Sequence, residues 1–390
     1  MRRLLAVLLA APLAMAPAPT YAAGAAWEQW KPIAGVFDAD GPRSDGSLIV
    51  AGSAALYLVD PAGAVTPFAR GPGGYHEDPG AEAYLAMSAG GHVITAGCDF
   101  APDETYLLRL HTPIGVNRVN AAGDESGPFV DVTGVTTLNG IAFDTTGDFG
   151  HRLLVSGPVG TKTAIFAIDC MGAVQAITRF APVLEGGLAV APRTFGSFAG
   201  ALIAPDELSG NVYAISASGT VSVVAKPALP TGGDIGVESV AFVPAGLMSR
   251  GGYVYYADRL TAGNPHPGSD NLLRLPSAQL GAAGVQEGDL LVATEGGATL
   301  VAVHCESSCT VIPVVTTATK AHGEGHLAFT MGPAPPSPVA PSAIATQAGG
   351  LPPQLAAFFG EWGMPTIAFL LLVALVAAVG VQAVIRRRRR

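Results

Sequence analysis

From Ser47 to Thr330 apolar and polar positions alternate in short runs, the period of two that marks strands with one face buried. Four stretches between such runs spell the same turn. Leu58-Val59-Asp60-Pro61-Ala62-Gly63-Ala64-Val65 recurs as Arg118-Val119-Asn120-Ala121-Ala122-Gly123, as Ala167-Ile168-Asp169-Cys170-Met171-Gly172-Ala173-Val174 and as Ala214-Ile215-Ser216-Ala217-Ser218-Gly219-Thr220-Val221. Each joins two strands through a turn-forming side chain and a glycine suited to the left-handed conformation, which predicts a short-looped hairpin. The glycines at 63, 123, 172 and 219 recur every 47 to 60 residues, a period that suits one four-stranded propeller blade.

A second repeat runs in phase with the first. Leu85-Ala86-Met87, Ile141-Ala142-Phe143, Leu188-Ala189-Val190, Val240-Ala241-Phe242 and Leu327-Ala328-Phe329 are uniformly apolar, as strands buried on both faces should be, and are predicted to be innermost. One blade is legible in full between Asn139 and Thr178. The fold class expected is therefore all-β, a β-propeller of six blades, with five or seven as the alternatives. Leu290 to Glu295, Thr299 to His304 and Thr310 to Val315 read as a blade whose inner strand is not identifiable, and Ser47 to Ala69 as outer strands without an inner one. The simplest closure places Leu327-Ala328-Phe329 inside those N-terminal strands, so that both ends of the chain share a blade and no sheet edge stays open.

The ends of the chain carry different signals. Residues 1–22 read as a secretory signal peptide: Arg2-Arg3, an apolar run from Leu4 to Ala16, and small residues near Ala22. The ectodomain spans 27–331. Residues 332–363, opening Pro333-Ala334-Pro335-Pro336-Ser337-Pro338, read as a semi-rigid stalk with too few large apolar residues for a core. Residues 364–385 are apolar over a length that matches the roughly 30 Å hydrocarbon core and predict a transmembrane helix. The arginines at 386–390 form a basic cytoplasmic tail, which by the positive-inside rule leaves the propeller extracellular. A buried core helix ending in a solvated basic patch is the ordinary alternative. Leu351-Pro352-Pro353-Gln354-Leu355 departs from the Leu-Pro-x-Thr-Gly pattern of sortase substrates, which favours retention as a single-pass membrane protein.

Charge narrows the partners. The 390 residues hold 21 Lys and Arg against 30 Asp and Glu. Without Arg2, Arg3 and the five terminal arginines the balance is 14 to 30, and so strongly acidic a displayed domain disfavours nucleic acid and attracts cations. The expected partner is a surface ligand, glycan or protein, with the membrane reached through the C-terminal helix. Four cysteines in an exported chain fit disulfides. Cys305 and Cys309 flank a short loop between β-rich runs and can close it; Cys98 with Cys170 would then tie neighbouring blades.

Candidate chemistry gathers at one end of the inner strands. Glu82, Asn139, Glu185, Glu238 and Glu324 stand two or three residues ahead of the five apolar runs, and converging oxygen donors suit a hard cation such as Ca²⁺. In His322-Gly323-Glu324-Gly325-His326 an extended strand would put His322, Glu324 and His326 on one face, a set suited to zinc or iron, although a turn with locally bonded polar groups explains the same residues. His76-Glu77-Asp78, in a Gly/Pro-rich loop, could join that rim, although composition alone reads it as an exposed loop. Asp38-Ala39-Asp40-Gly41 lacks the spacing of a calcium loop and reads as a solvated N-terminal turn. Serine-hydrolase, phosphate-cradling and dinucleotide glycine motifs are absent.

Asn139-Gly140-Ile141-Ala142-Phe143-Asp144, Leu153-Leu154-Val155-Ser156-Gly157 and the repeated hairpins together resemble the six-bladed propellers of the gluconolactonase, strictosidine-synthase and NHL-repeat kind, over roughly Ser47 to Thr330. The resemblance implies a divalent metal, usually Ca²⁺, on channel-facing carboxylates and asparagines in those members that act as lactonases. Of that pattern Asn139 maps. The expected function is a membrane-anchored binding or scaffolding module at the cell surface. The alternative is a metal-dependent lactone or ester hydrolase with its site at the mouth of the channel.

Overall fold

The computed structural model describes residues 24–53, 55–70, 75 and 82–333. The signal peptide, His76-Glu77-Asp78, most of the stalk, the residues 364–385 and the basic tail lie outside the described residues. Among the described residues no helix is long and apolar enough to cross a membrane.

Six four-stranded antiparallel sheets surround a common axis. Their innermost strands, taken around the ring, are Asp38–Asp40, Leu85–Met87, Gly140–Phe143, Ala189–Val190, Val237–Phe242 and Gly323–Met331, and we number the blades one to six in that order. All five apolar runs read as inner strands hold that position. The four turn glycines also behave as expected: Gly63, Gly123, Gly172 and Gly219 have φ of 85°, 74°, 84° and 82° and join the third and fourth strands of blades one to four. A side chain there would have to adopt the left-handed region, which glycine occupies without steric cost.

Two expectations about connectivity are corrected. The inner strand of the blade at Leu290 is Val237–Phe242, already recognised as an inner strand, which pairs through Val240 with Val292. Between those two strands the chain first lays Gly252–Asp258 and Asn271–Pro276 into blade six. Residues 323–331 then close that blade on the inside by pairing with Gly252–Asp258, while Glu28–Pro32 closes it on the outside by pairing with Asn271–Pro276. Both chain ends do share a blade, but it is not the one containing Ser47 to Ala69. That blade has Asp38–Asp40 as its inner strand, paired to Ile49–Ala51.

Packing explains the exchange. The inserted hairpin carries Val254, Tyr256, Leu273 and Leu275, all buried against Leu327, Phe329 and the facing Leu291, Ala293 and Leu300 of blade five. Burying a large aliphatic or aromatic side chain contributes roughly 1.5–3 kcal/mol, so two interleaved sheets bind each other through side chains as well as through the ring. The core lies between adjacent sheets around the ring, in five clusters.

Both predicted disulfides are present. Cys98–Cys170 joins a small hairpin of blade two, Gly91–Val93 with Cys98–Phe100, to the outer turn of blade three, and Cys305–Cys309 closes its loop in blade five.

Candidate functional site

In each blade the inner strand begins, and the antiparallel second strand ends, at the same face of the ring. Residues at or just before the starts of inner strands and just after second strands therefore meet around one mouth of the channel. From the first class come Glu82, Glu185, Glu238 and Glu324; from the second come Glu207, Arg259 and Glu295. With Tyr84, Asp234 and His322 they line a cavity of about 220 Å³. Seven carboxylates thus face one guanidinium and one imidazole.

Burial and mutual repulsion set the protonation of this mouth. Burial, with Glu207 nearby, pushes Glu185 up to about 7. Burial, with a hydrogen bond to Glu295, pushes Glu207 up to about 8. Glu238, 3% exposed, is raised well above the usual carboxylate range by burial and by Glu324. Arg259 pairs with Glu82 and lies 3.3 Å from Glu324 Oε1. The Tyr84 hydroxyl stands 3.0 Å from Glu238 Oε1 and 2.9 Å from Glu324 Oε2. A hydroxyl has one hydrogen to donate, so one of the two carboxyls must itself carry a proton and donate it to the tyrosine oxygen. Burial and the charge of Glu324 favour the protonated form of Glu238, which makes it the better placed of the two to donate.

The tightest grouping is Glu295, His322 and Glu324, each buried, with one ligand atom of each within 4.8 Å of the others. His322 Nε2 lies 2.9 Å from Glu295 Oε1 and 3.4 Å from Glu324 Oε1. Burial works against the imidazolium, but hydrogen bonds to Glu295 and Glu324 outweigh it and hold the ring up to about 10. His322 Nδ1 and Glu207 Oε1 are buried without a hydrogen-bond partner among the described residues. With the proton of His322 released on binding, two carboxylates and an imidazole with orphaned polar atoms beside them would fit a cation with mixed oxygen and nitrogen ligands.

Of the residues expected at the site, Glu82, Glu185, Glu238, His322 and Glu324 converge. Asn139 does not line the cavity: its Nδ2 donates to Leu184 O and its Oδ1 accepts from Ser156 Oγ, so the amide ties strand ends together. His326 is displaced from the face of His322 and Glu324. Gly325 at φ 65° introduces a bulge between the pairs Tyr255–Ala328 and Ala257–Glu324, which breaks the alternation assumed for an extended strand. His326 instead reaches across the channel. Its Nδ1 lies 3.0 Å and 3.1 Å from the two oxygens of Asp38, and its Nε2 lies 2.8 Å from Ile141 O. Both partners only accept, so both ring nitrogens carry hydrogen and the ring is a cation. Burial opposes that charge, Asp38 outweighs it, and the ring is held up to about 9.

Glu207, Glu295, Arg259, Tyr84 and the two aspartates of blade one were not among the residues expected at the site. The first three share a signal that was available, a charged residue directly after a second strand in Asp206-Glu207, Thr294-Glu295 and Asp258-Arg259. Asp38 is fully buried: it accepts the backbone N–H of Ala39, Leu85 and His326 as well as the imidazole. The solvated turn expected at Asp38-Ala39-Asp40-Gly41 is thus the innermost strand of a blade.

No family model matches the chain, and no curated protein matches it. Solved structures share its general form. Virginiamycin B lyase from Staphylococcus aureus aligns at 12% identity and a TM-score of 0.39, covering 76% of this chain and 92% of that one. A candidate gluconolactonase aligns at 13% and 0.43, covering 77% and 84%. An auxiliary nutrient binding protein from Bacteroides ovatus aligns at 11% and 0.44, covering 75% and 64%. At these levels the likenesses say nothing about activity. The six-bladed propeller, of the general kind to which the gluconolactonase-type resemblance pointed, stands on the sheet order of this chain itself.

Proposed function

We propose that this protein is an exported, membrane-tethered binding propeller whose acidic mouth captures a divalent cation. The observation that carries the reading is the convergence of seven carboxylates on one cavity with only Arg259 and His322 to offset them. Buried like charges cost folding free energy, and a bound cation converts that cost into affinity. Glu295, His322 and Glu324 would hold the ion, with Glu82, Glu185 and Glu238 around them. A mixed oxygen and nitrogen set favours Mn²⁺, Fe²⁺ or Zn²⁺, whereas Ca²⁺ would use the carboxylates alone. Two disulfides support an oxidising compartment, in keeping with the N-terminal leader-like sequence and the apolar run at 364–385.

Calorimetric titration of the purified protein with Ca²⁺, Mn²⁺ and Zn²⁺, beside Glu324→Gln and His322→Gln, tests this. One ion per chain, lost in Glu324→Gln, is expected. Loss in His322→Gln as well identifies the mixed set, and retention there identifies Ca²⁺-type ligation. Binding of none of the three, or binding indifferent to Glu324→Gln, refutes the reading.

A second reading is a metal-dependent lactone or ester hydrolase, favoured by the proton held between Glu238 and Tyr84 beside the Glu295–His322–Glu324 group. A metal there would polarise a substrate carbonyl. Glu238 would keep an exchangeable proton at hand for the leaving oxygen. Lactone turnover abolished by Glu238→Gln with cation binding retained would put this reading first.

A further inference from the structure

The channel has a second mouth, and its chemistry is the reverse of the first. At the ends of the inner strands Met87, Phe143, Val190, Phe242, Leu327 and Phe329 line a cavity of about 440 Å³, into which Asp40 and His326 also face. That volume and that composition, an apolar wall with a few placed polar groups, are those of a small-molecule pocket. The two cavities share no lining residue. His326 crosses between blade six, blade one and blade three, and its ring packs edge-on against Tyr84 of the acidic mouth at 6.4 Å between centroids.

Counting the charges around His326 leaves a remainder. Asp38 and Asp40 lie on one strand and His326 supplies a single positive charge. Asp38 spends its two oxygens on His326 and three backbone N–H groups. Asp40 receives one backbone N–H on each oxygen, from Gly41 and Met87 at 2.7 Å, which leaves lone pairs unused. Arg43 does not help: its guanidinium donates to Asp103 O and Ala121 O on blade two. Burial holds the Asp40 carboxyl above its ordinary range, with His326 only partly offsetting it. An apolar chamber with an only partly compensated carboxyl and three phenylalanine rings suits one kind of guest, since a desolvated cation is attracted both to the carboxylate form and to aromatic faces.

The geometry points to a second ligand site at this mouth, taking a monocationic amphiphile: a protonated or quaternary amine directed at Asp40 and an apolar body against Phe143, Phe242 and Phe329. The site is separate from the cation site of the acidic mouth and does not depend on it.

Calorimetry of the purified protein with 4-phenylbutylammonium, and with 4-phenylbutanol as its uncharged counterpart, tests the assignment. The ammonium compound is expected to bind and the alcohol to bind at least about tenfold more weakly, the loss that follows when a charge-assisted partner is removed. Asp40→Asn should weaken ammonium binding by a similar factor. Because Asn at 40 could disturb the strand, Ala189→Phe provides a second route: Ala189 is half-buried in the wall, and a ring there fills the chamber and should abolish binding. Equal binding of alcohol and ammonium, no binding of either, or binding that survives Ala189→Phe overturns the inference. So does loss of binding on Glu185→Gln in place of Asp40→Asn, which would put the amine in the acidic mouth.

Discussion

Replacing Glu238 by glutamine should stabilise the protein in the absence of metal, and should do so only at neutral and higher pH. Glu238 and Glu324 both touch the Tyr84 hydroxyl, at 3.0 Å and 2.9 Å, so their nearest oxygens are at most about 6 Å apart. Two full charges at that separation repel by about 3 kcal/mol at an effective dielectric constant of 20. The wild-type protein avoids part of this by keeping a proton on Glu238, whose folded-state affinity for protons is raised. A carboxyl raised on folding contributes stability that is complete below its unfolded value of about 4.5 and drains away as pH rises. Glutamine has no proton to lose, and its amide can still donate to Tyr84 O while Tyr84 donates to Glu324. Urea melts in chelator at pH 5 should therefore find Glu238→Gln and wild type within about 0.5 kcal/mol. At pH 8 the variant should be ahead by about 1–3 kcal/mol, which for a domain of this size is roughly 2–6 °C in Tm. A variant less stable than wild type at pH 8 in chelator, or a gain of equal size at both pH values, would show that repulsion in the acidic mouth is not what Glu238 contributes.

Other consequences follow from the same geometry. Removing Cys98–Cys170 by double serine substitution should cost about 4 kcal/mol, against about 2 kcal/mol for Cys305–Cys309, because loop-closure entropy grows with the number of residues enclosed. The enclosed separations are 72 and 4 residues, and paired denaturation curves check the ratio. His326→Ala strands the Asp38 carboxylate in a buried site and should destabilise by about 3–5 kcal/mol, which Asp38→Asn in the same chain should partly rescue in a double-mutant cycle. Gly325→Ala meets both a left-handed φ of 65° and an added Cβ that would clash with the Asp38 carboxylate. Its cost should exceed about 2 kcal/mol in thermal melts, and the loss should be smaller in an Asp38→Ala background if crowding contributes.

Most of the ring could be read from the chain because blades one to four are contiguous in sequence. Each follows inner strand, second strand, third strand, left-handed glycine turn and outer strand, so period and phase reinforce each other. Blades five and six escaped because they interleave. Local pattern identifies strands but not which sheet a strand joins, and Gly252–Asp258 and Asn271–Pro276 look like any hairpin until Leu273 and Leu275 are seen packed among Leu327 and Phe329. Asp38–Asp40 escaped for a different reason. Two aspartates in three residues read as solvated, and the groups that satisfy Asp38, the backbone N–H of Leu85 and the imidazole of His326, lie 47 and 288 positions away.

The same distinction between local and distant information governs the site. Four glutamates ahead of inner strands were legible because the strand itself fixes where their side chains stand, whereas Glu207, Glu295 and Arg259 needed the antiparallel partner to bring them to the same mouth. The bulge at Gly325 shows the limit most clearly. His322, Glu324 and His326 are spaced for one face, and a single left-handed residue sends the last of them through the channel to Asp38 and Ile141. That one backbone reversal parts His326 from His322 and Glu324. His322 and Glu324 stay with the carboxylates at the acidic mouth, and His326 becomes the partition, leaving Asp40 as the only partly compensated carboxyl of an apolar pocket. A protein in which position 325 could not adopt the left-handed conformation would have to give up either the partition or the pairing of its closing strand, so the separation of the two mouths rests on the conformational freedom of this glycine.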